Sequence, residues 1–198
     1  MDMPFDALSE VSDEALLVLY ANGDRGAARM LTLRLTPRVL SYATRVLGER
    51  TEAEDIAQDA MLRLWRVAGV WRQGEARVST WLYRVVTNLC TDRLRARRRR
   101  ATAALDTTPE VADATPGVEA RLIATDRLSA LEAALAALPD RQRQAVVLRH
   151  IEGLPNPEIA EVMGIGVEAV ESLTARGKRM LAARLSGRRA ELGYEEGN

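Results

Sequence analysis

The sequence predicts an all-α protein made of two small helical domains joined by a flexible linker. Apolar residues make up 47% of the 198 residues but aromatic residues only 4%, so the core must be built from Ala, Leu and Val, a composition that favours helices. Helical periodicity recurs on both sides of a stretch rich in Ala, Thr, Asp and Pro. That stretch, the predicted acidic linker at residues 101–122, separates domains at residues 1–100 and 123–190.

The first domain is predicted to be a helical bundle. Apolar periodicity indicates a helix over residues 25–47. Thr51 and Glu54 have the spacing of a capping box and predict the start of a second helix, which runs to about residue 69. Thr80, or the serine before it, is expected to cap a third helix that extends into a run of arginines.

The third helix has two chemically different faces. Its apolar face includes Cys90, which we interpret as a core residue rather than a redox-sensing thiol. Its polar face consists of Arg84, Asn88, Thr91, Asp92 and Arg95. Asn can donate to and accept from a base edge, and Arg neutralises phosphate. Trp81 at the start of the helix can stack on an unpaired base; the alternative is that its ring is a large core residue of an aromatic-poor bundle. This face is therefore suited to nucleic acid.

The second domain is predicted to contain a helix-turn-helix. Asp140 is expected to cap one helix, and Asn156 is expected to cap a short helix that ends at a glycine-containing turn. A longer helix follows at about residues 167–185, and its outer face carries Glu168, Glu171, Ser172, Ala175, Arg176 and Arg179. An ordinary helical hairpin is the alternative, but the basic residues on and after the last helix favour a DNA-binding unit.

The formal net charge is zero, with 28 basic and 28 acidic residues, yet the charge is segregated along the chain. Six arginines fall within residues 93–100, and six basic residues fall within residues 176–189, with no acidic residue in either stretch. Two basic clusters on a neutral chain indicate a polyanionic partner. The alternative is that these arginines are solvated helix ends stabilised by the helix dipole.

Several classes of protein are excluded by what the sequence lacks. One Cys and one His cannot form a disulfide framework or a His/Cys metal site. We find no glycine-rich phosphate loop, nucleophile elbow or HExxH motif, so we expect neither an enzyme nor a bound cofactor. The apolar runs fall short of the ~20 residues of a membrane helix, and the acidic N-terminus does not resemble a signal peptide. We therefore expect a cytoplasmic protein.

Three segments in order carry a family resemblance. Residues 53–65 (AEDIAQDAMLRLW) resemble the second conserved region of bacterial RNA polymerase sigma factors. Residues 79–95 resemble the segments that melt and recognise the minus-ten promoter element, and residues 138–170 resemble the fourth region, which binds the minus-thirty-five element. With only these two regions, the chain resembles the extracytoplasmic-function (ECF) group over most of residues 13–186.

The resemblance implies a function and a set of site residues. It implies a sigma factor that binds the β′ and β subunits of core RNA polymerase and directs promoter-specific initiation, responds to stress or another signal, and is held by an anti-sigma factor. The implied polymerase-binding residues are Glu54, Asp55, Gln58 and Asp59. The implied minus-ten residues are Trp81, Arg84, Asn88, Asp92 and Arg95, with Asn88 at the position that binds a flipped base. The implied minus-thirty-five residues are Glu171, Ser172, Ala175, Arg176 and Arg179. The linker resembles the family connector that threads the RNA exit channel.

The last helix departs from the family pattern at two positions. Glu171 stands where many members have a basic residue, and Gly177 stands where a helix-favouring residue is usual, so the promoter sequence cannot be carried over. The alternative function is a helix-turn-helix transcription regulator that does not bind core polymerase. That alternative leaves the helix of Asp55 and Gln58, and the arginines of residues 93–100, without a role.

Overall fold

The computed structural model describes residues 5–72, 74, 77–103 and 119–186. Within these ranges every regular element is helical, which confirms the predicted all-α class. The helices are α1 (Asp13–Ala21), α2 (Arg25–Leu47), α3 (Arg50–Val67), α4 (Val78–Ala103), α5 (Glu119–Ala136), α6 (Asp140–His150), α7 (Asn156–Met163) and α8 (Val167–Ser186), with 3-10 turns at Phe5–Glu10 and Ala68–Val70.

The predicted N-caps of α3 and α4 are wrong. The N-cap of α3 is Glu49, whose carboxylate accepts from the backbone N–H groups of Thr51 (2.7 Å) and Glu52 (2.9 Å). A carboxylate can satisfy two N–H groups where a hydroxyl satisfies one, and the bond from Glu52 lowers the pKa of Glu49. Helix α4 begins before Thr80, and the N–H of Val78 donates to a Glu14 oxygen 2.9 Å away.

The predicted N-caps of α6 and α7 are wrong by one residue each. Asp140 and Asn156 are the first residues of their helices, and the N-cap positions are Pro139 and Pro155, which make no side-chain cap hydrogen bond. Proline fixes its own φ and its side chain has no acceptor atom, so the chain enters each helix without a side-chain cap. The helices themselves lie where the periodicity places them.

The first domain is built around α2, which packs against α1, α3 and α4. Tyr42 of α2 is fully buried, and its hydroxyl lies 2.9 Å from the hydroxyl of Thr87 on α4. The Tyr42 ring meets the Tyr83 ring edge to face at 5.6 Å between centroids. An apolar stripe of α3 is buried in this core at Ile56, Ala57, Ala60, Met61 and Leu64.

In the second domain, α8 packs against α5, α6 and α7. Gly177 is buried where α8 crosses α6. A Cβ at this position would lie 2.5 Å from Val146 Cγ2 and 3.3 Å from the carbonyl oxygen of Gln142. The two helices therefore approach closely only because residue 177 has no side chain, which explains the departure from the family pattern there.

The two domains pack against each other, with α7 on α4 and both α5 and α6 on α2. The buried guanidinium of Arg143 donates to the carbonyl of Val46 in the first domain (2.6 Å) and to those of Ala136 (2.5 Å) and Leu138 (3.1 Å) in its own. Most of the predicted linker, residues 104–118, lies outside the described residues; α4 extends to Ala103 and α5 begins at Glu119.

Candidate functional site

The predicted polymerase-binding residues lie together on the outer face of α3. Glu54, Asp55 and Gln58 are exposed and Asp59 is half-buried. Glu54 accepts from Arg50 at 2.8 Å, and Asp59 forms the equivalent pair with an arginine one turn on at 3.0 Å. Exposed pairs of this kind add little stability. The face is available to a partner.

An apolar groove of about 370 Å³ runs beside this acidic face, between α2 and α3. It is lined by Thr36, Leu40, Glu54, Ala57, Gln58, Met61, Leu62 and Trp65. Leu62 is 45% exposed, which is high for a leucine. Sequence reasoning placed the polar residues but missed the groove; the signal was Leu62, an apolar residue outside the buried stripe of α3.

The predicted minus-ten residues share one face of α4. Arg84, Asn88, Asp92 and Arg95 are exposed. Trp81 is half-buried and packs edge to face on Trp71, with 6.0 Å between ring centroids. This geometry combines a fixed aromatic platform with a row of exposed polar side chains.

Some of the arginines at the end of α4 form contacts within the protein. Arg97 donates to the carbonyl of Leu47 at 2.9 Å, at the C-terminus of α2, and lies 2.6 Å from a Glu52 oxygen. Arg93 lies 3.4 Å from Glu52, and Arg98 pairs with Asp140 of the second domain. These three arginines therefore contribute to the fold through contacts with α2, α3 and α6, and neither interpretation of the cluster from sequence predicted those contacts.

The predicted minus-thirty-five residues lie on the outer face of α8. All five are exposed: Glu171, Ser172, Ala175, Arg176 and Arg179. Val170 and Gly177, on the opposite side, are buried. The side-chain amide of Asn156, at the start of α7, donates to a Glu171 oxygen at 3.4 Å. This hydrogen bond joins the two helices of the helix-turn-helix at Glu171, the acidic residue that departs from the family pattern.

Comparison with known proteins decides between the candidate functions. The family model for sigma-70 region 2 matches residues 31–100, and that for sigma-70 region 4 matches residues 128–181. The ECF sigma factor SigM of Mycobacterium tuberculosis is 38% identical over 179 residues, which cover 90% of this chain and 87% of SigM. This chain belongs to the ECF sigma factors. The RNA polymerase sigma-H factor of Pseudomonas aeruginosa is 31% identical over 88% of this chain and 94% of its own.

Solved structures give the same fold. The sigma factor RpoE of Bartonella quintana, in complex with the anti-sigma factor NepR, matches with a TM-score of 0.65 at 21% identity over 80% of this chain and 96% of RpoE. CnrH, in complex with the cytosolic domain of CnrY, matches with a TM-score of 0.65 at 26% identity over 88% of this chain and 97% of CnrH. As a sigma factor, the protein binds core RNA polymerase and directs promoter-specific initiation.

Part of each DNA-binding face predicted for this sigma factor lines one cleft. The cleft has a volume of about 740 Å³. Asn88, Asp92 and Arg95 of α4 form one wall, and Leu173 and Arg176 of α8 form part of the other. The structure therefore brings together two surfaces that the sequence placed in separate domains.

Sequence reasoning missed the contacts that close this cleft. Glu158 of α7 accepts from Arg77 (3.0 Å) and Thr80 (3.2 Å), and the side-chain amide of Gln144 donates to the hydroxyl of Thr91 (3.0 Å). These partners are 53 to 81 residues apart in the chain. Periodicity and capping patterns report only local structure, so no sequence signal could have found them.

Two titratable side chains of the sigma factor, Cys90 and His150, lie outside the predicted faces. Burial raises the pKa of the Cys90 thiol to about 12, so the thiol stays protonated and unreactive at neutral pH. Burial, together with Lys178 and Arg149, lowers the pKa of His150. Among the described residues, we find no cluster of His, Cys, Asp and Glu that could hold a metal ion, and no helix long and apolar enough to cross a membrane.

Proposed function

We propose that the α3 face and its groove form the docking surface for the β′ and β subunits of core polymerase. The exposed carboxylates and amide of Glu54, Asp55, Gln58 and Asp59 supply hydrogen-bond acceptors and one donor. The apolar groove beside them provides the desolvated pocket in which interfaces concentrate their binding energy. The observation that carries this proposal is the half-exposed Leu62 in a groove rimmed by Glu54 and Gln58.

We propose that α4 and α8 bind the two promoter elements. Trp81, Arg84, Asn88, Asp92 and Arg95 would hold the nontemplate strand of the minus-ten element, with Asn88 on a flipped base. Capturing unstacked bases drives melting, while phosphate contacts hold the register. The exposed residues Glu171, Ser172, Ala175, Arg176 and Arg179 would face the major groove of the minus-thirty-five element.

We propose that an anti-sigma factor restrains this protein, as an alternative factor that responds to stress or another signal. Two structural neighbours, RpoE and CnrH, are described in complexes of this kind, with NepR and with the cytosolic domain of CnrY. The open apolar groove offers a partner of this type a surface to cover. The sigma factor itself would act in the cytoplasm, carry out no bond chemistry and need no cofactor.

The proposal is tested by reconstitution with sigma-free core polymerase and sequencing of transcript 5′ ends from a genomic DNA library. The wild-type protein is expected to give discrete starts that share two upstream elements. Asn88→Ala should reduce these starts by about 10-fold or more, since a bidentate hydrogen-bond contact to a base contributes ~1–3 kcal/mol, while leaving core affinity unchanged. Thr102→Ala, an exposed and uncharged change on the same helix, is the matched control.

The outcomes separate the two candidate functions. Core binding with discrete starts supports the sigma assignment of the three surfaces. Absence of core binding would overturn it and favour the regulator that binds DNA alone.

A further inference from the structure

The clearest feature outside the predicted surfaces is a carboxylate of the second domain bound at the start of α4. Glu158 accepts from Arg77 Nη1 at 3.0 Å through one oxygen and from the Thr80 hydroxyl at 3.2 Å through the other. The Glu158 side chain is only 22% exposed, whereas that of Arg77 is 73% exposed. The acid is therefore enclosed against the first domain.

A second carboxylate of the second domain binds a donor further along α4. Glu152, in the turn before α7, accepts from the hydroxyl of Tyr83. Tyr83 is buried where the domains meet, and burial together with Glu152 raises its pKa far above the ordinary value, so its hydroxyl stays a donor. Two acids of one domain thus occupy consecutive donor groups on α4.

The donors that hold these acids are those that proteins use for DNA phosphates. Guanidinium and hydroxyl groups make most backbone contacts to nucleic acid. The N–H of Trp81 donates to the carbonyl of Arg77 (3.0 Å), so Arg77 lies at the very start of α4. From there Arg77, Thr80, Arg84 and Asn88 follow at intervals of three or four residues, which places them along one side of the helix. The acid-binding donors therefore continue the predicted minus-ten face.

The arrangement in which the two domains pack against each other, called closed below, is incompatible with a bound promoter. The two elements lie about 25 base pairs apart, or about 85 Å along B-DNA, yet Asn88 and Arg176 line a single cleft of about 740 Å³. The domains must separate for both faces to reach their elements.

We propose that Arg77 and Thr80 form a binding site for a backbone phosphate of the nontemplate strand, and that Glu158 occupies this site in the free protein. The second domain and promoter DNA then compete for the same donors, and Glu158 acts as an internal substitute for phosphate. The inference rests on the proposed function only in taking α4 as the DNA-binding helix.

The test compares Glu158→Gln with Glu161→Gln, which removes an equal charge from an exposed position of the same helix. Binding of a labelled single-stranded nontemplate oligonucleotide to the free protein is measured against salt concentration. Glu158→Gln is expected to bind about 5- to 10-fold tighter than wild type, and Glu161→Gln within about 2-fold of it. Adding Arg77→Ala to Glu158→Gln should weaken binding and lower the salt slope by about one.

A second readout follows domain separation directly. Dyes on cysteines introduced at the exposed positions Ala101 and Ala182 report the distance between α4 and α8 by energy transfer. Cys90 is buried and needs no replacement. Glu158→Gln should increase the low-transfer population, and Glu161→Gln should leave it at the wild-type level.

Each outcome supports or overturns the proposal. Equal effects of the two Gln variants on binding, or an Arg77→Ala change without effect in the Glu158→Gln protein, would overturn it. If no variant binds the oligonucleotide, an unchanged energy transfer in Glu158→Gln overturns it. Initiation with core polymerase is assayed in parallel, because failure of wild type to initiate contradicts the proposed function, whereas normal initiation with no Glu158→Gln effect contradicts the phosphate site alone.

Discussion

The α3 surface and the proposed DNA-binding faces of α4 and α8 differ in their surroundings. The acidic face of α3 and its apolar groove are exposed in the described residues, with Leu62 and Gln58 at the surface. The faces of α4 and α8 instead line one cleft, and carboxylates of the second domain occupy donors beside it. On the proposed assignment, the polymerase-binding surface is open, whereas donors at the start of α4 are occupied by acids of the second domain.

The chemistry of each surface explains the difference. Arginines and hydroxyls on α4 can be satisfied by acids, and the second domain supplies Glu158 and Glu152 at the right places. The groove on α3 is apolar and needs an apolar side chain, and none of the described residues fills it. Donors at the start of α4 thus find acidic partners within the chain, whereas the groove depends on a partner from outside.

The largest effect of a substitution is expected at the exposed α3 surface, on binding to core polymerase. Leu62→Asp should weaken binding to core polymerase by about 30-fold or more, since loss of an interface hot spot costs ~2 kcal/mol or more. Leu33→Asp is the matched control, because Leu33 is 56% exposed on α2 but does not line the groove. Fluorescence anisotropy with labelled sigma factor measures both. Equal losses in the two variants would mean that the groove is not the docking site.

The next effect concerns the outer face of α8, of which Arg176 lines the cleft. Arg176→Ala should weaken binding to the minus-thirty-five element by about 10-fold, from a contact of ~1–3 kcal/mol, and leave core affinity unchanged. Glu171→Lys should change or broaden the preferred sequence, since a carboxylate accepts from cytosine and an ammonium cannot. Promoter selection with the holoenzyme measures both. An unaltered sequence preference at that element in both variants would refute the proposed docking of α8.

A smaller effect is expected inside the second domain. Gly177→Ala places a methyl group 2.5 Å from Val146 Cγ2, and overpacking of ~1–3 kcal/mol should exceed the ~1 kcal/mol gain in helix propensity. We expect a net loss of about 1 kcal/mol in the free energy of unfolding. Adding Val146→Ala should reduce the penalty of the Gly177 change, measured by urea unfolding. A stabilised Gly177→Ala single variant would show that the close approach of α8 to α6 is not required.

The smallest effect is expected at Cys90, on the buried side of α4 away from the cleft. Its thiol should react with a thiol reagent at neutral pH only after unfolding, in both the closed and the opened protein. Because the folded pKa is about 12 and the unfolded one about 8.5, folding favours the protonated thiol. This contribution to stability is complete below pH ~8.5 and is lost as the pH rises toward 12. Rapid labelling of the native protein would contradict the burial of α4.

Local patterns predicted most of the helices and both polar faces, because amphipathic periodicity follows directly from burial. The 25–47 helix, for example, matches α2 to the residue. The predicted helix caps were wrong where another residue could accept from the same backbone N–H groups, as Glu49 does instead of Thr51 at the start of α3. The cleft could not be predicted, because its contacts join residues such as Thr80 and Glu158 that are far apart in sequence.

One measurement tests the central difference between the two surfaces most directly. The affinity of a single promoter duplex, identified by transcript 5′-end sequencing, is compared between the sigma factor alone and the sigma factor bound to core polymerase, at the same salt concentration. We expect binding by the holoenzyme to be at least about 1,000-fold tighter, the usual ratio of specific to non-specific binding. Equal affinities would show that the second domain does not hinder DNA binding by α4 and α8 in the free protein.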